Sequence, residues 1–284
     1  MDKFRVSREM LLSDRILAPE EIIEVKAAAL HQILRVHDRG YVEKIQSAAL
    51  DRKEQLLLGL PASRDLFSRS ATEVEATRLA CEAALVEGVG VCLAGGTHHA
   101  FREHGEAHCV FNDIAIAIRA IQDRQPLIKI MVIDTAAHQG NGTASLLEDD
   151  PRVFTYSIHV GKTHPSRQAN SSMDVETVRY VEGEMYLELL FQTLARALDH
   201  FSPDLVIWIS GADNHRHDRL GHMQLSLVEI QRRDEVLLRA LIKNRIPVAI
   251  LYGAGYNRQP ELTAKLHRNT IAIAKRLAAE YRGL

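Results

Sequence analysis

The sequence predicts an α/β protein, a three-layer α/β/α arrangement around a mostly parallel sheet. Short runs that are apolar throughout alternate with longer segments rich in helix formers, the pattern of strands covered on both faces. Glycines bound several of those runs, as they bound buried strands. His, Asp and Gly residues cluster just after the runs, at the carboxyl ends of the strands, where ligands sit in parallel sheets.

The elements follow in order. Residues 19–36 open with Pro19, Glu20 and Glu21, which suits a helix N-terminus. Residues 73–87 are good helix formers, stopped by Gly88 and Gly90, and 89–96 follow as a buried strand. Residues 112–123 read as helix, 128–134 as strand, 136–143 as loop and 152–157 as strand. A helix over 184–200 leads into a strand over 204–211. Ser226 caps a helix over 226–244, residues 247–253 form a strand, and 261–281 close the chain as helix. No repeat, low-complexity stretch or linker interrupts this order, so one domain over 1–284 is expected.

The 284 residues carry 35 Lys and Arg against 37 Asp and Glu, a net charge of −2, which gives no electrostatic footprint for nucleic acid or an anionic membrane. No apolar run reaches the roughly 18–20 residues of a transmembrane helix. The N-terminal stretch is charged and has no signal-peptide core, so a cytoplasmic protein is expected. Cys81, Cys92 and Cys109 lack metal-type spacing and read as small core hydrophobes. Against this ordinary background stand 14 histidines and only 5% aromatic residues.

Four strand ends carry the chemistry. They deliver Gly95-Gly96-Thr97-His98-His99, then Asp134-Thr135-Ala136-Ala137-His138, then Gly211-Ala212-Asp213-Asn214-His215, then Gly253-Ala254-Gly255-Tyr256. Imidazole and carboxylate together are the usual ligands of a catalytic zinc, which keeps one position for water. The residue types therefore point to metal-assisted hydrolysis. A single histidine on such a loop is more often a cap or a hydrogen-bonding residue, and it is the convergence that argues for a site. His31, His37, His200 and His267 fall in or beside helices and read as structural or solvated. His104, His159, His164 and His222 stay open.

These stretches resemble the zinc-dependent histone deacetylase family, in its short bacterial, class IV-like form. Residues 95–117 are similar to the paired-His loop and its following helix, 133–144 to the metal loop, 210–226 to the Gly-Ala-Asp loop, and 252–257 to the turn with the catalytic tyrosine. Residues 34–45 resemble the family's Val-His and Tyr-Val segment. The resemblance implies the arginase/deacetylase fold with about eight strands. It implies that His98 and His99 activate the water and protonate the leaving amine, with Asp134 orienting His98 and Asn141 supporting His99. His138 and Asp213 would be zinc ligands, and Tyr256 would donate to the oxyanion. Gly96, His108 and Gly255 would line the substrate channel. A structural monovalent cation, potassium, would lie between Asp134 and Ser157. The implied substrate is an acetylated amine, acetyl-lysine or a small acetylated polyamine-like molecule.

Three departures stand out. The family's metal loop reads Asp-x-Asp-x-His, but position 136 is Ala, so a zinc-ligand carboxylate is absent. The family's Gly-Phe-Cys, whose Phe walls the channel, is Ala107-His108-Cys109 here. His108 or His215 is then either a bystander or a substitute ligand. Residues 1–4 resemble the tail of a motif that follows the family's first strand. Either the sheet lacks that strand, which would expose an edge, or the sequence starts inside a longer one. Three functions compete: a metal-dependent amide hydrolase, a catalytically degenerate binding or scaffolding module, and a repurposed site with a His-rich metal set and different chemistry. Ala136 favours the second; the retained His98, His99, His138, Asp213 and Tyr256 favour the first.

Overall fold

The computed structural model describes residues 2–161, 163–165 and 167–281, so Met1 and the last three residues of the expected domain lie outside it. Six parallel strands form one sheet in the order β1-β6-β5-β2-β3-β4. They are β1 Val89–Cys92, β2 Ile130–Asp134, β3 Val153–Val160, β4 Met173–Thr177, β5 Leu205–Ile209 and β6 Val248–Leu251. All pairings are parallel, so the expected "mostly" becomes "all". The count is six rather than the family's eight or so, and β1 has no strand on its outer side among the described residues.

Alternation along each strand builds two cores. Ile130, Val132, Ile207 and Leu251 face one layer, which contains α5 (Arg64–Glu87) and α6 (Asp113–Arg124). Met131, Ile133, Trp208 and Ile250 face the other, which contains α8 (Gly183–Phe201), α9 (Leu227–Lys243) and α10 (Pro260–Tyr281). The central strands β2 and β5 are buried at every position. That is why they read as unbroken apolar runs.

The helix expected over 19–36 does not form. Pro19–Glu21 make one 3-10 turn, residues 22–29 run extended, and only α2 (Leu30–Ile33) is helical. Ala28 N–H donates to Ala71 O at 2.9 Å, so the extended segment runs against α5. The β-branched Ile22, Ile23 and Val25 tolerate that conformation. Five further elements were not legible as such. α1 (Asp2–Ser13) packs Phe4 and Leu11 with Tyr252 and Ile271, beside Val91 and Leu93 at the β1 edge. α3 (Arg39–Gln46) starts at Asp38, whose carboxylate accepts from Gly40 N at 2.7 Å; α4 (Arg52–Leu58) starts at a capping box of Asp51 and Glu54. α7 (Asn141–Leu147) follows the metal-loop sequence directly, where only loop was expected. β4 was also missed, because its exposed Asp174 and Glu176 break the apolar pattern, as charges do on edge strands.

Candidate active site

The carboxyl ends of β1, β6, β5 and β2 open onto one cavity of about 640 Å³. Gly96, His98, His99, His108, His138, Gly255 and Tyr256 line it, so the sheet brings these expected residues together. Asp134, Asn141 and Asp213 sit behind that lining, buried.

The two adjacent histidines carry different partners. His98 Nδ1 lies 2.5 Å from Asp134 Oδ2, and His99 Nδ1 lies 2.7 Å from Asn141 Oδ1. In each pair the oxygen fixes the tautomer by accepting from Nδ1–H, which leaves Nε2 free. The proton affinities of the two rings also differ. Burial disfavours a charged His98, but the Asp134 carboxylate outweighs it and holds the ring's pKa above the ordinary range. Burial, then the neighbouring His98, pushes His99 well below it. The close packing needs a glycine at 140, where a Cβ would come within 2.6 Å of Asp134 Oδ2 and 3.1 Å of His98 Cβ.

Tyr256 is held by its backbone. Asp218 Oδ2 accepts from Tyr256 N at 2.5 Å, and Arg219 Nε donates to Tyr256 O at 3.1 Å. The other Asp218 oxygen accepts from Leu220 N and Gly221 N, and a Cβ at Gly221 would fall 1.7 Å from Asp213 O. Asp218 thus ties the loop carrying Asp213 to the turn carrying Tyr256. From the other side Lys3 Nζ donates to Gly253 O at 3.0 Å and stands 5.2 Å from the Tyr256 ring centre. Burial lowers this lysine's pKa to about 8. Neither Asp218 nor Lys3 was singled out from the sequence. Lys3 reaches the site only because α1 folds back on α10, while Asp218, five residues past Asp213, was the more findable.

Beneath the site Arg233, 1% exposed, donates to Gly211 O and Asn214 Oδ1 and pairs with Asp234. Asn214 Nδ2 in turn donates to Thr135 O at 2.9 Å, which locks the β5 loop to the β2 loop.

Residues 1–273 match the model of the family described as "Histone deacetylase domain". The chain belongs to the histone deacetylase family. An uncharacterized protein of Picosynechococcus is 36% identical over 256 residues, covering 90% of this chain and 85% of that one. "Histone deacetylase 2" of Arabidopsis thaliana is 30% identical, covering 87% of this chain and 66% of its own length. "Acetoin utilization protein AcuC" of Staphylococcus aureus is 28% identical, covering 90% and 71%. The crystal structure of an HDAC homolog from Aquifex aeolicus superposes with a TM-score of 0.81 at 19% identity, over 98% of this chain and 82% of that one, which establishes the shared fold.

For this deacetylase-family chain the question is whether its residues fit the family's zinc. Asp213 is fully buried, and neither of its side-chain oxygens has a hydrogen-bond partner. Its Oδ2 lies 3.4 Å from His138 Nδ1. Bonds of about 2.0–2.2 Å at a tetrahedral angle put two N/O donors roughly 3.4 Å apart. An unsatisfied buried carboxylate is costly without a compensating charge, so this pair fits a cation. The third donor does not exist. Ala136 is a buried methyl whose N–H donates to Asp134 Oδ1 at 2.9 Å. Among the described residues no group of three or more His, Cys, Asp or Glu side chains is arranged to hold a metal.

The two substitute candidates each have a near neighbour of their own. His215 Nδ1 accepts from His217 N at 3.2 Å, and burial, then His217, lowers its pKa to about 4. His108 lines the cavity: its ring centre lies 5.8 Å from that of Tyr256, its backbone is left-handed (φ 69°), and its N–H donates to Leu58 O. Ser157 faces Asp134 in the β2/β3 register, and its hydroxyl pairs with His159 Nδ1 at 2.9 Å. Of the histidines left open, His164 and His222 line the cavity, and the His164 ring centre lies 5.2 Å from that of His99. His104 stacks on Phe101 instead.

Proposed function

We propose that this chain hydrolyses the amide of an acetylated amine, acetyl-lysine in a protein or a small acetylated amine, within one catalytic unit spanning the sequence. The observation that carries this reading is the pair of differently partnered histidines facing one cavity together with Tyr256. His99, neutral, accepts a proton from the attacking water at Nε2. As the water oxygen bonds to the carbonyl carbon, the Tyr256 hydroxyl donates to the oxyanion; burial keeps that phenol protonated. The proton returns to the amine nitrogen as the C–N bond breaks, giving acetate and free amine. His98, whose proton affinity the Asp134 carboxylate raises, stands beside it. His138 and Asp213 would hold zinc, which when bound polarises the carbonyl and the water.

Asp134 and Ser157 border the proposed monovalent cation site. Gly96, His108 and Gly255 line the path of the acyl chain. The cytoplasm is the proposed location: Cys81, Cys92 and Cys109 are free and buried, as thiols in a reducing compartment are. No helix among the described residues is long and apolar enough to cross a membrane.

The test is hydrolysis of an acetyl-lysine peptide by the chain and by Ala136→Asp, each with zinc. Turnover by the chain itself supports the proposal. Turnover only after Ala136→Asp shows a scaffold whose metal site alone has lapsed, and favours the binding-module reading. No turnover by either overturns the hydrolase reading.

A further inference from the structure

Where α1 and α5 border the cavity, Lys3, Arg69 and Glu73 line it. Lys3 Nζ donates to Gly253 O at 3.0 Å and to Gly255 O at 3.4 Å. An ammonium has three donors, so one N–H stays free. Burial lowers its pKa to about 8, which leaves it mostly charged at neutral pH. The Arg69 Nε is buried without a hydrogen-bond partner, a cost that an anion drawn to the guanidinium would offset. Burial lowers the pKa of His108, and the charges of Lys3 and Arg69 both add to it, so the two cations act on one wall. Two acids line the cavity against them. Asp2 is exposed, and burial pushes the Glu73 carboxyl up to about 7, so much of it is neutral near that pH. This wall therefore carries net positive charge and donors to spare.

We propose that the cavity accepts acyl groups that end in a carboxylate, succinyl or glutaryl, and that Lys3 and Arg69 hold that carboxylate. The Lys3 ammonium stands 5.2 Å from the ring centre of Tyr256, the residue that donates to the reacting carbonyl in the proposed function. At about 1.5 Å per C–C bond, two methylenes carry a carboxylate roughly 4 Å past that carbonyl, within reach of an ammonium so placed. An acetyl group brings nothing for either cation to pair with. The hydrolysis balances in the same way: the water oxygen bonds to the acyl carbon, the C–N bond breaks, and the products are a dicarboxylate and the free amine. The inference rests on the proposed function for the place of the carbonyl. Its readout is binding, so failure of hydrolysis and failure of acyl selection are told apart.

The experiment compares two fluorescent peptides, alike except for a succinyl-lysine or an acetyl-lysine, by anisotropy titration with the full chain. EDTA is present throughout so that neither peptide is turned over. The succinyl peptide should bind at least about 10-fold tighter, the worth of one hydrogen bond to a charged group. Arg69→Met should lower that preference at least about 3-fold and leave the acetyl peptide unaffected. Lys3→Met, checked for folding by circular dichroism, should weaken the succinyl peptide about 10-fold more than the acetyl peptide. Equal losses for the two peptides would confine Lys3 to the tyrosine turn and overturn the proposal. Equal affinities in the unchanged chain overturn it too, as do a preference that survives in both variants and the absence of binding by either peptide. Should Lys3→Met fail to fold, the Arg69→Met comparison decides alone.

Discussion

Replacing Arg233 with methionine removes a buried guanidinium that holds three groups beneath the site. Its Nε donates to Asp234 Oδ1 at 2.8 Å, and its Nη1 donates to Asn214 Oδ1 at 2.6 Å and Gly211 O at 3.0 Å. Asp234 is 0% exposed and would keep only the Thr270 hydroxyl, at 2.6 Å. Removing one member of a buried ion pair strands the other, and the expected loss is about 3–5 kcal/mol of unfolding free energy. The double variant Arg233→Met/Asp234→Leu strands no charge, so it should recover at least about 1 kcal/mol of that loss. Urea unfolding followed by fluorescence measures both. Trp208 is the single tryptophan, fully buried, with the Arg233 guanidinium 5.7 Å from its ring centre. Midpoints and slopes give the free energies. A single variant that loses less than about 1 kcal/mol, or a double variant at least as unstable as the single, refutes the argument that this pair is a costly buried charge held by its partner.

Asp218→Ala should lower kcat for amide hydrolysis about 100-fold while the melting temperature changes little, since it frees Tyr256 N and the Gly221 turn without opening the core; an unchanged kcat would show that Tyr256 is positioned without it. Gly140→Ala should cost about 1–3 kcal/mol in urea unfolding by overpacking against Asp134 and His98. Asp150 gives a pH-dependent case. Burial raises its carboxyl pKa, but hydrogen bonds from Arg152, Gln122 and Arg119 outweigh this and hold it well below the usual range. Its contribution is full above the unfolded pKa of about 3.9 and is lost as pH falls through the folded value. Asp150→Asn should therefore cost about 1–3 kcal/mol at pH 7. In urea midpoints that gap should narrow below about pH 4, and a gap of constant size would contradict the assignment.

The legible parts of this protein were those in which local sequence already satisfies the tertiary environment. β2 and β5 are buried on both faces, so their sequences are apolar throughout and declare a parallel sheet. The residues after them are polar and rich in glycine because they form loops around a site, and their order along the chain put His98, His138, Asp213 and Tyr256 at one end of the sheet. The helix expected over 19–36 failed for the opposite reason. Its alanines and glutamates suit a helix in isolation, but Ala28 pairs with Ala71 and the segment is held extended. β4 was hidden by the charges that protect an edge.

By itself the sequence determined the family, the all-apolar strands, the four strand-end loops rich in His, Asp and Gly, and the alanine at 136 where the resemblance implies a carboxylate. Each of these is a matter of residue type and spacing, which the chain carries without folding. Only the tertiary structure decided how those groups divide their work. Asp134, at 2.5 Å, raises the proton affinity of His98, while burial and the neighbouring His98 lower that of His99, whose Nδ1 meets Asn141 at 2.7 Å; these partners lie 36 and 42 positions apart. The fold sets His215 against His217 and His108 beside Tyr256, and among the described residues no group of three or more His, Cys, Asp or Glu side chains is arranged to hold a metal. It also delivers Lys3, from the far end of the chain, to the tyrosine turn. Distances of this kind depend on which helix packs where, and packing is the one quantity that no local stretch of sequence contains.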